Sequence, residues 1–125
     1  MIKIYIGFDG REEVAYHVLS SSIIRRSSTP ISITPICLRN ISSFFNRKWD
    51  PLQSTEFSFS RFLVPYLSNY EGWSIFMDCD MLVLDDITNL WNLRNEEFAV
   101  MCVHHKHNPS SETKFLGQIQ DRKST

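Results

Sequence analysis

Asp78 and Asp80 are the residues best placed to do chemistry, two positions apart behind the apolar run Ile75-Phe76-Met77. A second apolar run, Met81-Leu82-Val83-Leu84, separates them from Asp85-Asp86, making four aspartates in nine residues of WSIFMDCDMLVLDDITNLW, Trp73 to Trp91. Carboxylates embedded in core-like sequence are costly unless neutralised, paired or bound to a metal. In an extended segment, residues two apart share a face, so Asp78 and Asp80 are expected to converge while Cys79 points away. Two hard oxygen donors on one side suit Mn²⁺ or Mg²⁺, with phosphate oxygens and water completing the shell. Ligands of α/β sheets bind beyond the carboxyl ends of strands, where this pair falls. The competing reading makes these aspartates turn residues or helix caps. For Asp85-Asp86 that reading is the better one, because a short helix over 87–91 needs an N-cap.

Other groups could join this site. Asp9 ends a first apolar strand and could receive a ribose or base, or equally cap the helix that follows. Arg61 precedes the aspartates on a helix and is well shaped for a diphosphate. It could instead lie on a solvated face or bridge to Glu56 or Asp78. His104, His105 and His107 form a short cluster that reads better as a polar loop than as a metal site. Cys79 has no adjacent base and is not expected to act as a nucleophile. No glycine-rich phosphate loop of the P-loop or dinucleotide-binding type is present.

The elements that must position these groups are legible from periodicity. Ile2, Ile4 and Ile6 alternate with Lys3 and Tyr5 as a strand that turns at Gly7-Phe8-Asp9-Gly10. Residues 11–26 read as a helix burying Ala15, Val18, Leu19, Ser22 and Ile23 on one face, with acids at its start and Arg25-Arg26 at its end. Ile31, Ile33 and Ile36 make a second strand whose Pro35 restricts it to an edge or strand end. A strand, a helix and a second strand in this order predict a right-handed βαβ unit. Residues 39–53 read as irregular connection pinned by Phe44, Phe45 and Trp49. Residues 54–67 read as a second helix, with Ser54 or Thr55 as its cap and a kink at Pro65. Residues 98–103 read as one more apolar strand. The predicted fold is α/β, a mostly parallel sheet flanked by helices.

Length and composition agree with one globular domain. The chain has 125 residues, 42% hydrophobic and 22% charged, with nine phenylalanines for packing. A net charge of −1 gives no basic surface for nucleic acid or membrane lipid. Three widely spaced cysteines make neither a disulfide framework nor a zinc pattern, so buried free thiols in a reducing compartment are expected. No apolar run approaches the roughly 18 residues of a membrane span, and the amino terminus lacks a signal-peptide pattern. The expectation is a cytoplasmic protein without a transmembrane segment.

The stretch FSFSRFLVPYLSNYEGWSIFMDCDMLVLDDITNLW closely resembles the core of glycosyltransferase family 8 and related GT-A enzymes. Those families carry an arginine helix written SRF...P.L, followed by G..I.MD.D.LV..DI..LW. The amino-terminal IYIGFDGREEVAYHVLSSSI is similar to their first strand and nucleotide-side helix, so the resemblance covers most of residues 2–105. It implies a GT-A, Rossmann-like domain over 1–105, with a polar loop and tail over 106–125. It also implies a metal-dependent glycosyltransferase that moves a sugar, with retention, from a nucleotide-sugar donor such as a UDP-sugar to a glycan, lipid or protein acceptor.

Carried over by position, Asp78 and Asp80 match the DxD metal and diphosphate site and Arg61 the donor-contacting arginine. Asp9 falls in the first-strand loop near base and ribose, flanked by Phe8 and Tyr5. In the family a third metal ligand, a histidine, and the acceptor-binding residues lie far downstream. Nothing after Val103 matches them, so the resemblance implies the donor half of a longer enzyme, incomplete at the carboxyl terminus. The alternative is a truncated remnant that binds nucleotide or serves as an interaction module. Apolar surface left uncovered in such a half would favour self-association. A phosphatase-like arrangement is disfavoured, because the first strand ends in a single aspartate, Asp9, before Gly10-Arg11.

Overall fold

The structure, a computed structural model, describes residues 1–104. His105, His107 and the expected polar loop and tail over 106–125 lie outside the described residues. Strand β1 (Ile2–Gly7) leads through a short 3₁₀ turn at Gly10–Glu12 into helix α1 (Glu13–Arg26). Strand β2 (Ile31–Ile36) follows, then helix α2 (Val64–Leu67), strand β3 (Ile75–Met77) and helix α3 (Ile87–Trp91). Among the described residues the strands form one parallel sheet in the order β2-β1-β3, with Ile4 in register with both Ile33 and Ile75. The α/β architecture expected from the sequence is therefore present.

The central position of β1 explains its composition. Ile2, Ile4 and Ile6 are buried against Leu19 and Ile23 of α1 and Ile87 of α3. Tyr5 is buried in a second cluster with Ile36 and Ile41, beside Leu63, Val64 and Leu67. Each such aliphatic side chain contributes about 1.5–3 kcal/mol relative to exposure, so the isoleucine alternation is the main local reason the sheet forms. Pro35 stands in register with Ile6 on the edge strand, as its missing N–H requires.

Several expectations need correction. The helix expected over 54–67 begins later. Residues 60–63 make a 3₁₀ turn and Pro65 sits in the first turn of α2, where its lack of an N–H is harmless. The Arg61 carbonyl is consequently not freed by a kink but accepts the Val64 N–H. Val18 is exposed rather than part of the buried face of α1. Of the three aromatic residues expected to pin the connection after β2, only Phe45 packs inward, while Phe44 leans on Tyr66 and Trp49 stays exposed. Residues 98–103 are not a strand. No neighbouring strand pairs with them among the described residues, and Phe98, Val100, Met101 and Val103 are exposed.

Candidate functional site

The carboxyl ends of β1 and β3 lie side by side, and Asp9 follows β1 by two residues while Asp78 follows β3 by one. The turn Asn69-Tyr70-Glu71-Gly72 feeds β3. It uses left-handed backbone at Asn69, Tyr70 and Gly72 (φ 60°, 56° and 65°) to reverse the chain in little space. Asp78 then meets Arg61: Nη1 lies 3.2 Å from Asp78 Oδ1, and both side chains are half-buried. The guanidinium is 5.3 Å from the centroids of both Phe57 and Phe76, and its Nε donates to the Phe57 carbonyl at 3.3 Å. Of the readings open for Arg61, the bridge to Asp78 is the one seen.

Asp80 is exposed, and the chain turns at Cys79-Asp80 instead of staying extended. The strand ends at Met77, so the alternation that would bring the two carboxylates to one face does not extend to Asp80. Cys79 does point inward, 1% exposed within the β1–α1 core. Its Sγ donates to Glu12 Oε2 at 3.6 Å. Burial, followed by the negative charge of Glu12, pushes the Cys79 thiol up to about 12, which excludes it as a nucleophile at neutral pH.

Asp9 is fully buried, and four donors reach it. Oδ1 accepts from the Arg11 backbone N–H and from Arg11 Nε, each at 2.9 Å. Oδ2 accepts from Arg11 Nη2 at 2.6 Å and from the Glu56 N–H at 3.1 Å. Burial raises its pKa, but the hydrogen bonds from Arg11 and Glu56 outweigh burial and hold the carboxyl below its ordinary value. Asp9 thus caps the turn into α1 and ties it to the segment around Glu56. Phe8 stacks edge-on against Tyr16, and Tyr5 belongs to the core.

Asp86 caps α3 as expected, accepting the Thr88 N–H at 2.9 Å. It also accepts the Ser28 N–H at 3.2 Å, fastening α3 to the α1–β2 connection. Hydrogen bonding from Ser28, then from Thr88, lowers its pKa to about 2. Asp85 closes on its own neighbours, accepting from Asp86 N–H and from Asn89 Nδ2. His104 is exposed.

Three supporting residues escaped sequence reasoning. Ser22, read as part of an apolar stripe, accepts the Val83 N–H at 3.0 Å and so holds the chain behind the aspartates onto α1. A hydroxyl at a buried helical position was the available signal. Glu12 reaches Cys79 across 67 residues, and Phe57 carries Arg61. Neither has a local sequence signature.

Among the described residues no three His, Cys, Asp or Glu side chains gather as a metal-binding group. By donor chemistry alone, Asp78 and Asp80 carry hard oxygens of the kind that Mn²⁺ or Mg²⁺ takes. No family model matches the chain, and no solved structure matches it. It is similar to Protein CDI of Arabidopsis thaliana, 47% identical over 120 residues, which cover 94% of this chain and 46% of that protein. The chain spans about half the length of this curated relative. No helix among the described residues is long and apolar enough to cross a membrane.

Proposed function

We propose that the chain is the donor-binding half of a metal-dependent, GT-A-type glycosyltransferase working in the cytoplasm on a UDP-sugar or related nucleotide sugar. The observation that carries the reading is the Arg61–Asp78 pair at the carboxyl end of β3, in a parallel sheet where phosphorylated ligands are commonly received. Asp78 and Asp80 would hold Mn²⁺ or Mg²⁺. The ion, when bound, supplies Lewis-acid stabilisation to the departing nucleoside diphosphate.

The protein's own groups orient the donor. Arg61 offers a planar fork that suits a diphosphate, and Phe57 and Phe76 keep it from wandering. A half-exposed ion pair is worth about 1 kcal/mol or less, so Arg61 can exchange Asp78 for a phosphate oxygen at little cost. Asp9, with both oxygens occupied inside the protein, acts through the loop it fixes and not by direct contact.

Calorimetric titration with UDP-glucose and UDP-galactose, with and without Mn²⁺, tests the reading. Metal-dependent binding is expected, with at least a tenfold loss (about 1.4 kcal/mol or more) in Asp80→Ala. Equal binding by wild type and Asp80→Ala would remove the pair from the site. A second reading, a nucleotide-binding module without turnover, is favoured by the lack, among the described residues, of any three His, Cys, Asp or Glu side chains grouped to hold a metal ion. Donor hydrolysis assayed beside binding separates the two.

A further inference from the structure

Away from the aspartates, the outer face of α1 and the chain at Leu82 enclose a groove of about 480 Å³. Its wall is apolar where Val14 and Val18, four residues apart, face outward beside Leu82, and all three are exposed. Arg25 and Arg26 line it as well, both exposed. Exposed apolar side chains grouped in a groove with charged neighbours mark interaction surfaces more than scattered ones do.

The same chain displays a segment of matching chemistry. Glu96 and Glu97 lead into Phe98, Val100, Met101 and Val103, whose side chains are all exposed. Trp73 Nε1 donates to Glu96 Oε1 at 2.9 Å, so the segment leaves the body from a fixed point next to β3. Acid followed by apolar residues complements a groove that pairs two arginines with apolar walls. The net charge of −1 leaves little long-range repulsion between copies.

We propose that the α1 groove receives the 96–103 segment of a second copy of this chain, with Glu97 against Arg25 and Arg26 and the apolar side chains over Val14, Val18 and Leu82. Each copy owns one groove and one segment, so two reciprocal contacts close a two-fold dimer. This surface is independent of the nucleotide-sugar reading and stands or falls separately.

Sedimentation equilibrium of the full chain tests it. A species of twice the 14.7 kDa protomer mass is expected at micromolar concentration. Val18→Asp and Val100→Asp, both at exposed positions, should each weaken association at least about tenfold while leaving the circular dichroism spectrum unchanged. The charge exchange is the sharper arm. Arg25→Glu/Arg26→Glu and Glu97→Arg should each be monomeric alone and pair when mixed. A wild-type monomer at every concentration, its groove being left empty or covered by its own chain, would overturn the proposal. So would a dimer indifferent to Val18→Asp or Val100→Asp, or a charge-exchanged mixture that pairs no better than its components.

Discussion

Among the described residues, several carboxylates that sequence position offers to a ligand are committed to neighbours instead. Asp9 and Asp86 both end as caps, although their positions behind or near strand ends invite a catalytic reading. The spacing alone left both options open for Asp9, because a cap and a ligand contact ask for the same residue at the same place. For Asp86 the short helix behind it decided the matter in advance. Its depressed pKa has a measurable consequence. An unfolded aspartate titrates at about 3.9, so the capping contribution is complete above that pH and disappears as the pH falls toward about 2. Urea midpoints of Asp86→Asn should lie below wild type at pH 6, with the gap closing by pH 2. A gap that stays constant would mean the charge is irrelevant to the cap. Cysteine chemistry makes a second test. Cys102 is exposed while Cys37 and Cys79 are buried, so a thiol reagent at pH 8 should modify one group rapidly and the other two only on unfolding.

Element by element, legibility followed the amount of local repetition. β1, α1 and β2 were readable because isoleucine alternation and the Leu19–Ile23 stripe repeat over several turns or residues. The stretch 54–59 was not, since Phe57 and Phe59 sit at helical spacing from later apolar residues yet belong to turns. What fixes Phe57 is Gly7, fifty positions earlier at the carboxyl end of β1. A Cβ on Gly7 would overlap the Phe57 ring, and that ring is buried and has no room to retreat. Gly7→Ala should therefore cost about 1–3 kcal/mol, read as a lowered urea midpoint. Phe57→Leu in the same chain should recover part of the loss, and a fully additive double variant would show that the two sites do not meet. The convergence of Asp78 and Asp80 was expected from strand geometry, and the turn at Cys79-Asp80 limits that inference to Asp78.

At the scale of the molecule, two apolar clusters lie on either side of a sheet of three described strands. That much followed from the order of apolar runs. The partner of each loop did not, because ties such as Ser22 to Val83 and Cys79 to Glu12 span 61 and 67 residues and leave no periodic trace. The sheet also has unequal sides. Hydrogen bonds from Ile2 to the Pro30 carbonyl and from Phe8 to the Ile36 carbonyl show that even-numbered residues of β2 turn toward β1. Pro35 therefore faces outward, where an added strand would find a ring in place of a donor. Replacing Pro35 by valine should open that flank and raise thioflavin-positive fibre formation under mildly destabilising conditions. Unchanged fibre kinetics would show that the proline guards nothing. With one flank blocked, the sheet has a direction of growth. A strand that enlarges it finds the proline-free flank beside β3, and its end would lie near Asp78.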